Sequence, residues 1–207
     1  MNRIYPKFKE QALQGGVNLS SGNIKAVLVD LADYTYSDAH EFLSDVAVAG
    51  RVATSGNLAS KTFTNGVFDT ADFTFTAATG DPSEALILFI DTGTASTSRL
   101  IAFISGRDRV QVAAAASTGG TSITVEDLPG AIASGVTMTL VSGTGPATIV
   151  TSASAAAGAR SISVTSLSGN LSADAVYEYA VTGSGLPVTP NGGDINVTVN
   201  ASGWFSL

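Results

Sequence analysis

The sequence has no cysteine, one histidine, one tryptophan and two methionines in 207 residues, and only 13% of its residues are charged. Without cysteine there is no disulfide framework, no thiolate zinc site and no thiol nucleophile. With His40 as the sole imidazole, a Ser-His-Asp triad or a histidine metal site rests on one residue. No Gly-x-Ser-x-Gly elbow stands at a strand-to-helix boundary to supply a nucleophile. Ten Lys and Arg against seventeen Asp and Glu, a net charge of −7, leave no extended basic face for phosphates. Nucleic acid is therefore not expected as a partner. No apolar run approaches the roughly 20 residues of a membrane-spanning helix, so no membrane partner is expected. The opening "MNRIYPKFKEQALQGG" mixes Arg, Lys and Glu where a secretory signal needs a continuous apolar segment. The expectation is a protein made without a signal peptide, in a cytoplasm.

What is present is 44% hydrophobic residues, 22 Gly, and much Ala, Ser, Thr and Val, a mixture that suits strands and tight turns. The length allows one large all-β domain or two smaller ones. Ile4, Phe8 and Leu13 predict one face of a short N-terminal helix, a lid or arm ended by Gly15 and Gly16. "NIKAVLVDL" (Asn23–Leu31) reads as a core strand. Ser37 predicts the cap of one or two helical turns over 37–46, with Asp38 and Glu41 as its N-terminal acids. Asn65-Gly66 predicts a type I′ turn with strands on both sides. "EALILFIDTG" and "SRLIAFIS" predict two strands joined through "DTGTAST". Ile195, Val197 and Val199 alternate as a strand, followed by a short one carrying Trp204 and Phe205.

Composition shifts between Gly106 and Gly185, where Phe and Trp vanish and a phrase is said twice. "SITVEDLPGAI" (Ser122–Ile132) returns 39 residues later as "SISVTSLSGNL" (Ser161–Leu171). Each copy follows an Ala/Ser-rich approach and precedes a second strand. A unit of two short strands cannot bury its own apolar face, so the two copies must pair. The reading is a mainly β protein: an antiparallel β-sandwich or jelly-roll-like body (1–105 plus 184–207) with a short N-terminal helix. A small β subdomain (106–183) of two repeats is inserted between strands expected to share one sheet. Leu128 and Leu167 are expected in the subdomain core, Gly130 and Gly169 in its turns, and Gly183–Gly185 at a hinge.

Few residues carry candidate chemistry. Asp91 in "LFIDTGT" resembles the Asp-Thr-Gly of aspartic proteases, where two carboxyls share a proton. The chain has one such triplet, so a homodimer would have to supply the second, and Asp-Thr-Gly between apolar strands is also an ordinary hairpin turn. Asp30, Asp33, Asp38, Glu41 and Asp45 could offer oxygen ligands to calcium, but lack the spacing of a calcium loop. "SGTGP" and "TGSGLP" lack the lysine of a phosphate loop. No catalytic, metal or cofactor-binding residue is expected. The Ala/Ser/Thr surface of the repeats suits contact with a lattice or glycan, because small side chains lose little rotamer entropy.

Five stretches, "NIKAVLVD", "DAHEFLSDV", "AGRVATSGNLASKTFTNGVFDTADFTF", "GDPSEALILFIDTGTASTSRLIAFIS" and "LPVTPNGGDINV", carry a resemblance. Together they resemble small structural proteins encoded in the virion gene clusters of tailed bacteriophages, over residues 1–105 and 184–207. Residues 106–183 look like an insertion, itself similar to Ala/Gly-rich repeats with a Leu-Pro-Gly-Ala-Ile turn in phage head and decoration proteins. The resemblance implies a non-enzymatic virion component, a capsid decoration or cement protein, and brings no catalytic residues. Its implied partners are the major capsid protein and copies of itself, as a dimer or trimer. A tail- or fibre-associated adhesin is the alternative, and a hydrolase built on Asp91 a remote one.

Overall fold

The structure, a computed structural model, describes residues 2–128, 131–181, 185–199 and 203–206. The chain forms two compact units, Asn2–Ser105 with Gly185–Leu207, and Gly106–Ser184. It is mainly β, with antiparallel sheets and one short α-helix near its N-terminus.

The first unit, the body, begins with β1 (Asn2–Ile4), α1 (Pro6–Leu13), β2 (Ile24–Val29), β3 (Arg51–Thr54), β4 (Val67–Phe68), β5 (Phe73–Phe75), β6 (Ala85–Ile90) and β7 (Leu100–Ser105). Five strands form one antiparallel sheet in the order β1-β7-β6-β2-β3. Strands β2, β6 and β7 are almost continuously apolar and buried on both faces, so their sequences lack a one-sided alternation. Their side chains share a core with Tyr5, Phe8, Tyr34, Val46, Leu58, Phe68 and Phe75.

Helix α1 departs from the expected face. Ile4 belongs to β1, Phe8 is fully buried, and Leu13 is 89% exposed. Five positions separate Phe8 from Leu13, which at about 100° per residue turns Leu13 well away from the core. Pro6 opens the helix, where a fixed φ and a missing N–H do no harm. With Phe8 in the core and Tyr5 N–H bonded to Ile101 O, the segment is part of the body and not a free arm.

The stretch 37–46 holds turns where helix was expected. Ser37 accepts the Ala39 and His40 amides, and helical geometry is confined to the 3-10 turn Leu43–Asp45. The Asp45 carboxylate reaches back to the amides of Glu41 and Phe42 at 2.7 and 2.9 Å, which leaves Phe42 extended and starts the turn late. Asn65 and Gly66 both have positive φ, as a type I′ turn requires. The flanking strands differ: the approach contributes one bridge, Thr62 to Asp69, and β4 pairs elsewhere. In "KTFT" only Phe63 is apolar, so a strand there would bury little.

The second unit contains β8 (Arg107–Gln111), β9 (Ser122–Thr124), β10 (Thr137–Ser142), β11 (Thr148–Val150), β12 (Ser161–Ser163) and β13 (Val176–Ala180). A four-stranded sheet runs β11-β10-β13-β8, and β12 pairs with β9. The two repeats are related by a pseudo-twofold axis. Ile123 faces Ile162 and Thr139 faces Glu178, each opposite its own counterpart one repeat later. Bridges come in matched sets: Val112–Val125 with Thr151–Val164, and Ala116–Leu171 with Ile132–Ala155. The repeats are also intertwined, since β8 pairs with β13 and β11 with β10, so the first strand of each repeat lies on the third strand of the other. Leu128 and Leu167 both enter the shared core with Met138, Ile149, Ile123 and Ile162. Positive φ falls at Gly119 and Gly158 in the Ala/Ser-rich approaches, at Gly135 and Asp174 at the matching place before each third strand, and at Gly143, but not at Gly169. Gly130 lies outside the described residues, as do Gly183 and Ser184 of the expected hinge.

The chain returns to the body through β14 (Ile195–Val197), paired with β5, and β15 (Phe205–Ser206), paired with β4. Thus β7 and the strand after the insertion do not share a sheet: β14 has a two-stranded ladder of its own. Val199 lies beyond β14, with its amide on Asp72 Oδ1 at 2.8 Å. Trp204 is fixed by its indole N–H on Thr70 Oγ1 at 2.9 Å.

Candidate functional site

Asp91 sits at the end of β6, where the chain turns towards β7. Its Oδ2 is 2.6 Å from Lys25 Nζ on the neighbouring strand, and its Oδ1 accepts the Gly93 amide at 2.9 Å. The hydrogen bond from Lys25 is the main reason its carboxyl is held below the usual carboxylate range. Ser98 closes the turn, accepting the Thr92 amide and donating to Thr94 O at 2.9 Å. A proton-sharing dyad needs a carboxyl whose affinity for protons is raised by a second one. Lys25 acts in the opposite sense, and the geometry is that of an ion-paired Asx turn.

His40 is half-buried, and its Nδ1 lies 2.9 Å from the Tyr34 hydroxyl, which in turn lies 2.8 Å from that of Tyr5. Burial pushes the Tyr34 phenol up to about 12 and raises Tyr5 further. Both phenols therefore remain protonated at neutral pH and can donate. The chain of three rings ties the start of α1 to the loop after β2.

Four of the five acids of 30–45 go to separate partners. Asp30 Oδ1 accepts the Ala32 amide at 2.7 Å, Asp38 accepts the Tyr36 hydroxyl at 2.7 Å, and Asp33 is exposed. Glu41, expected near a helix N-terminus, instead pairs with Arg99 at 2.6 Å, and Asp45 takes the backbone amides. Burial is the largest single influence on the Asp45 carboxyl and raises its pKa, but the Glu41 and Phe42 amides together outweigh it and hold the carboxyl below the usual range. Among the described residues, no three His, Asp or Glu side chains come together as a metal site.

Two other surfaces stand out. In the body, a cleft of about 490 Å³ is lined by residues that include Arg3, Ile4, Lys9, Tyr36, Asp38, Trp204 and Phe205. Sequence reasoning missed it because its walls come from both ends of the chain; the alternation of cations and apolar residues in "RIYPKFK" was the available signal. In the second unit, β9 and β12 expose Ser122, Thr124, Ser161 and Ser163, and the Ser122 and Ser161 hydroxyls meet across the axis at 3.0 Å. The approaches add exposed Ala113–Ala115 in one repeat and Ser152–Ser154 at the matching place in the other. No family model matches the chain, and no curated protein matches it.

Proposed function

We propose that this protein is a non-enzymatic structural component of a tailed-bacteriophage virion, and specifically a decoration or cement protein of the capsid. The observation that carries the reading is the second unit. It puts its apolar side chains inside a pseudo-twofold core and turns hydroxyls and methyls outward on matched surfaces, which suits repeated contact better than chemistry. The phage-like stretches of the body supply the class of particle. Asp91 and His40, the residues with most catalytic promise, are occupied in a turn and a ring network, in keeping with a contact role.

In this role the subunit binds across neighbouring capsomers and adds interface area where the shell protein leaves gaps. Weak contacts sum through the symmetry of the shell. Binding to the assembled state alone stabilises it by mass action. The partners are the major capsid protein and further copies of this chain. Immunogold labelling of purified particles tests the location. Label over the heads is the expected result; label confined to tails or fibres would replace this reading with that of an adhesin contacting a host glycan.

A further inference from the structure

The five-stranded sheet of the body ends at β1, which has β7 on one side and, among the described residues, no strand on the other. Tyr5 N–H donates to Ile101 O at 3.0 Å. Backbone direction alternates along an antiparallel ladder, so Arg3 and Tyr5 turn their amides and carbonyls to β7 while those of Asn2 and Ile4 point outward. Such a row is a template for another strand.

The cleft lies at this edge. Successive strand residues point to opposite faces, and the cleft is lined by both Ile4 and Arg3. Ile4 shares its face with Ala102 and Ile104, its register neighbours on β7. Arg3 is on the other face with Tyr36, its guanidinium 5.4 Å from that ring. One cleft reaching both faces wraps around the strand edge.

Its charge selects the occupant. Arg3 has Asp38 at 3.9 Å, the longest ion pair among the described residues, and that carboxylate is 68% exposed. Lys9 is exposed and makes no ion pair among the described residues. In a chain of net charge −7, two cations beside an open strand edge favour an acidic segment over a basic one. We infer that an extended acidic segment of another protein chain docks in this cleft and adds to the sheet as a strand beside β1. Main-chain bonds to Asn2 and Ile4 hold it, Arg3 and Lys9 take its carboxylates, and Trp204 and Phe205 pack its apolar side chains. The inference stands apart from the virion reading, since any acidic strand of this kind fits.

Trp204 is the sole tryptophan and lines the cleft, so its emission reports occupancy. The probes are the blocked peptide Glu-Val-Glu-Ile-Glu-Val, its Lys-for-Glu counterpart, and two forms of the acidic peptide N-methylated on alternate residues, one in each register. The acidic peptide is expected to shift the emission saturably and to slow exchange of the Ile4 amide. Lys9→Glu, on an exposed helix position whose fold is checked by circular dichroism, is expected to weaken it about tenfold. N-methylation on the edge facing β1 is expected to abolish binding. No saturable shift, an equal response to the basic peptide, or undiminished binding of both N-methylated registers would overturn the inference. If the two cations serve only to keep other strand edges away, neither peptide binds.

Discussion

Asp91 and Lys25 illustrate how a motif's meaning depends on what the fold sets beside it. The Asp-Thr-Gly triplet is visible in the sequence, whereas the lysine that pairs with it, on a strand far earlier in the chain, is placed diagonally across from it by the register of β2 against β6, with Lys25 opposite Phe89. Because the pair holds the folded carboxyl below its unfolded value of about 3.9, it stabilises the protein above that pH. That contribution is lost as pH falls through the folded value. Asp91→Asn keeps an acceptor for Gly93 and removes the ion pair, so it is expected to lower unfolding stability by about 1 kcal/mol at pH 7. Chemical denaturation across pH should show the difference closing as pH falls through the lowered folded value, below which wild type is protonated too. A second residue-scale test separates two uses of glycine. A Cβ on Gly145 would meet the Tyr177 hydroxyl at 2.5 Å and Leu171 Cδ1 at 2.7 Å. Tyr177 is fully buried with its hydroxyl on Pro146 O, so Gly145→Ala is expected to cost about 1–3 kcal/mol through overpacking. Gly119 has φ +84 and open space around it, so Gly119→Ala should cost about 1 kcal/mol, from backbone conformation alone. A larger cost for Gly119→Ala than for Gly145→Ala in thermal melts would contradict this account.

At the scale of elements, apolar runs were the legible part. β2, β6 and β7 announce themselves because they are buried on both faces, and Ile195 and Val197 because they alternate. What stayed hidden were decisions made by distant partners: β4 pairs with Phe205 and Ser206 rather than with its own hairpin arm, and Asp45 delays the helical turn that Ser37 signals in the sequence. Helix α1 shows the difference between a plausible face and the real one. Phe8→Ala is expected to destabilise by about 3–5 kcal/mol, since a fully buried ring leaves a cavity. Leu13→Ser should stay within about 0.5 kcal/mol, since Leu13 already faces water. Comparable large losses for the two in urea midpoints would restore the face read from sequence.

For the whole molecule, the doubled phrase was the most informative signal, and the pairing of the copies followed from their inability to bury an apolar face alone. The exchange of strands between them was not legible, because nothing local tells β8 to choose β13. It has a consequence for assembly. Each repeat completes the other's sheet, so a variant lacking residues 145–183 is expected to recruit a second copy and form a concentration-dependent dimer with β8 of one chain on β10 of its partner. Sedimentation showing a folded monomer at all concentrations would contradict the intertwined arrangement.

The role we propose for this molecule is contact, through the matched surfaces of the second unit. The most direct test of that role is the number of copies of this 207-residue chain in purified particles, measured by quantitative mass spectrometry against the major capsid protein. The decoration reading predicts a stoichiometry fixed by the shell's symmetry, with many copies per head; a handful of copies, or none, would contradict it.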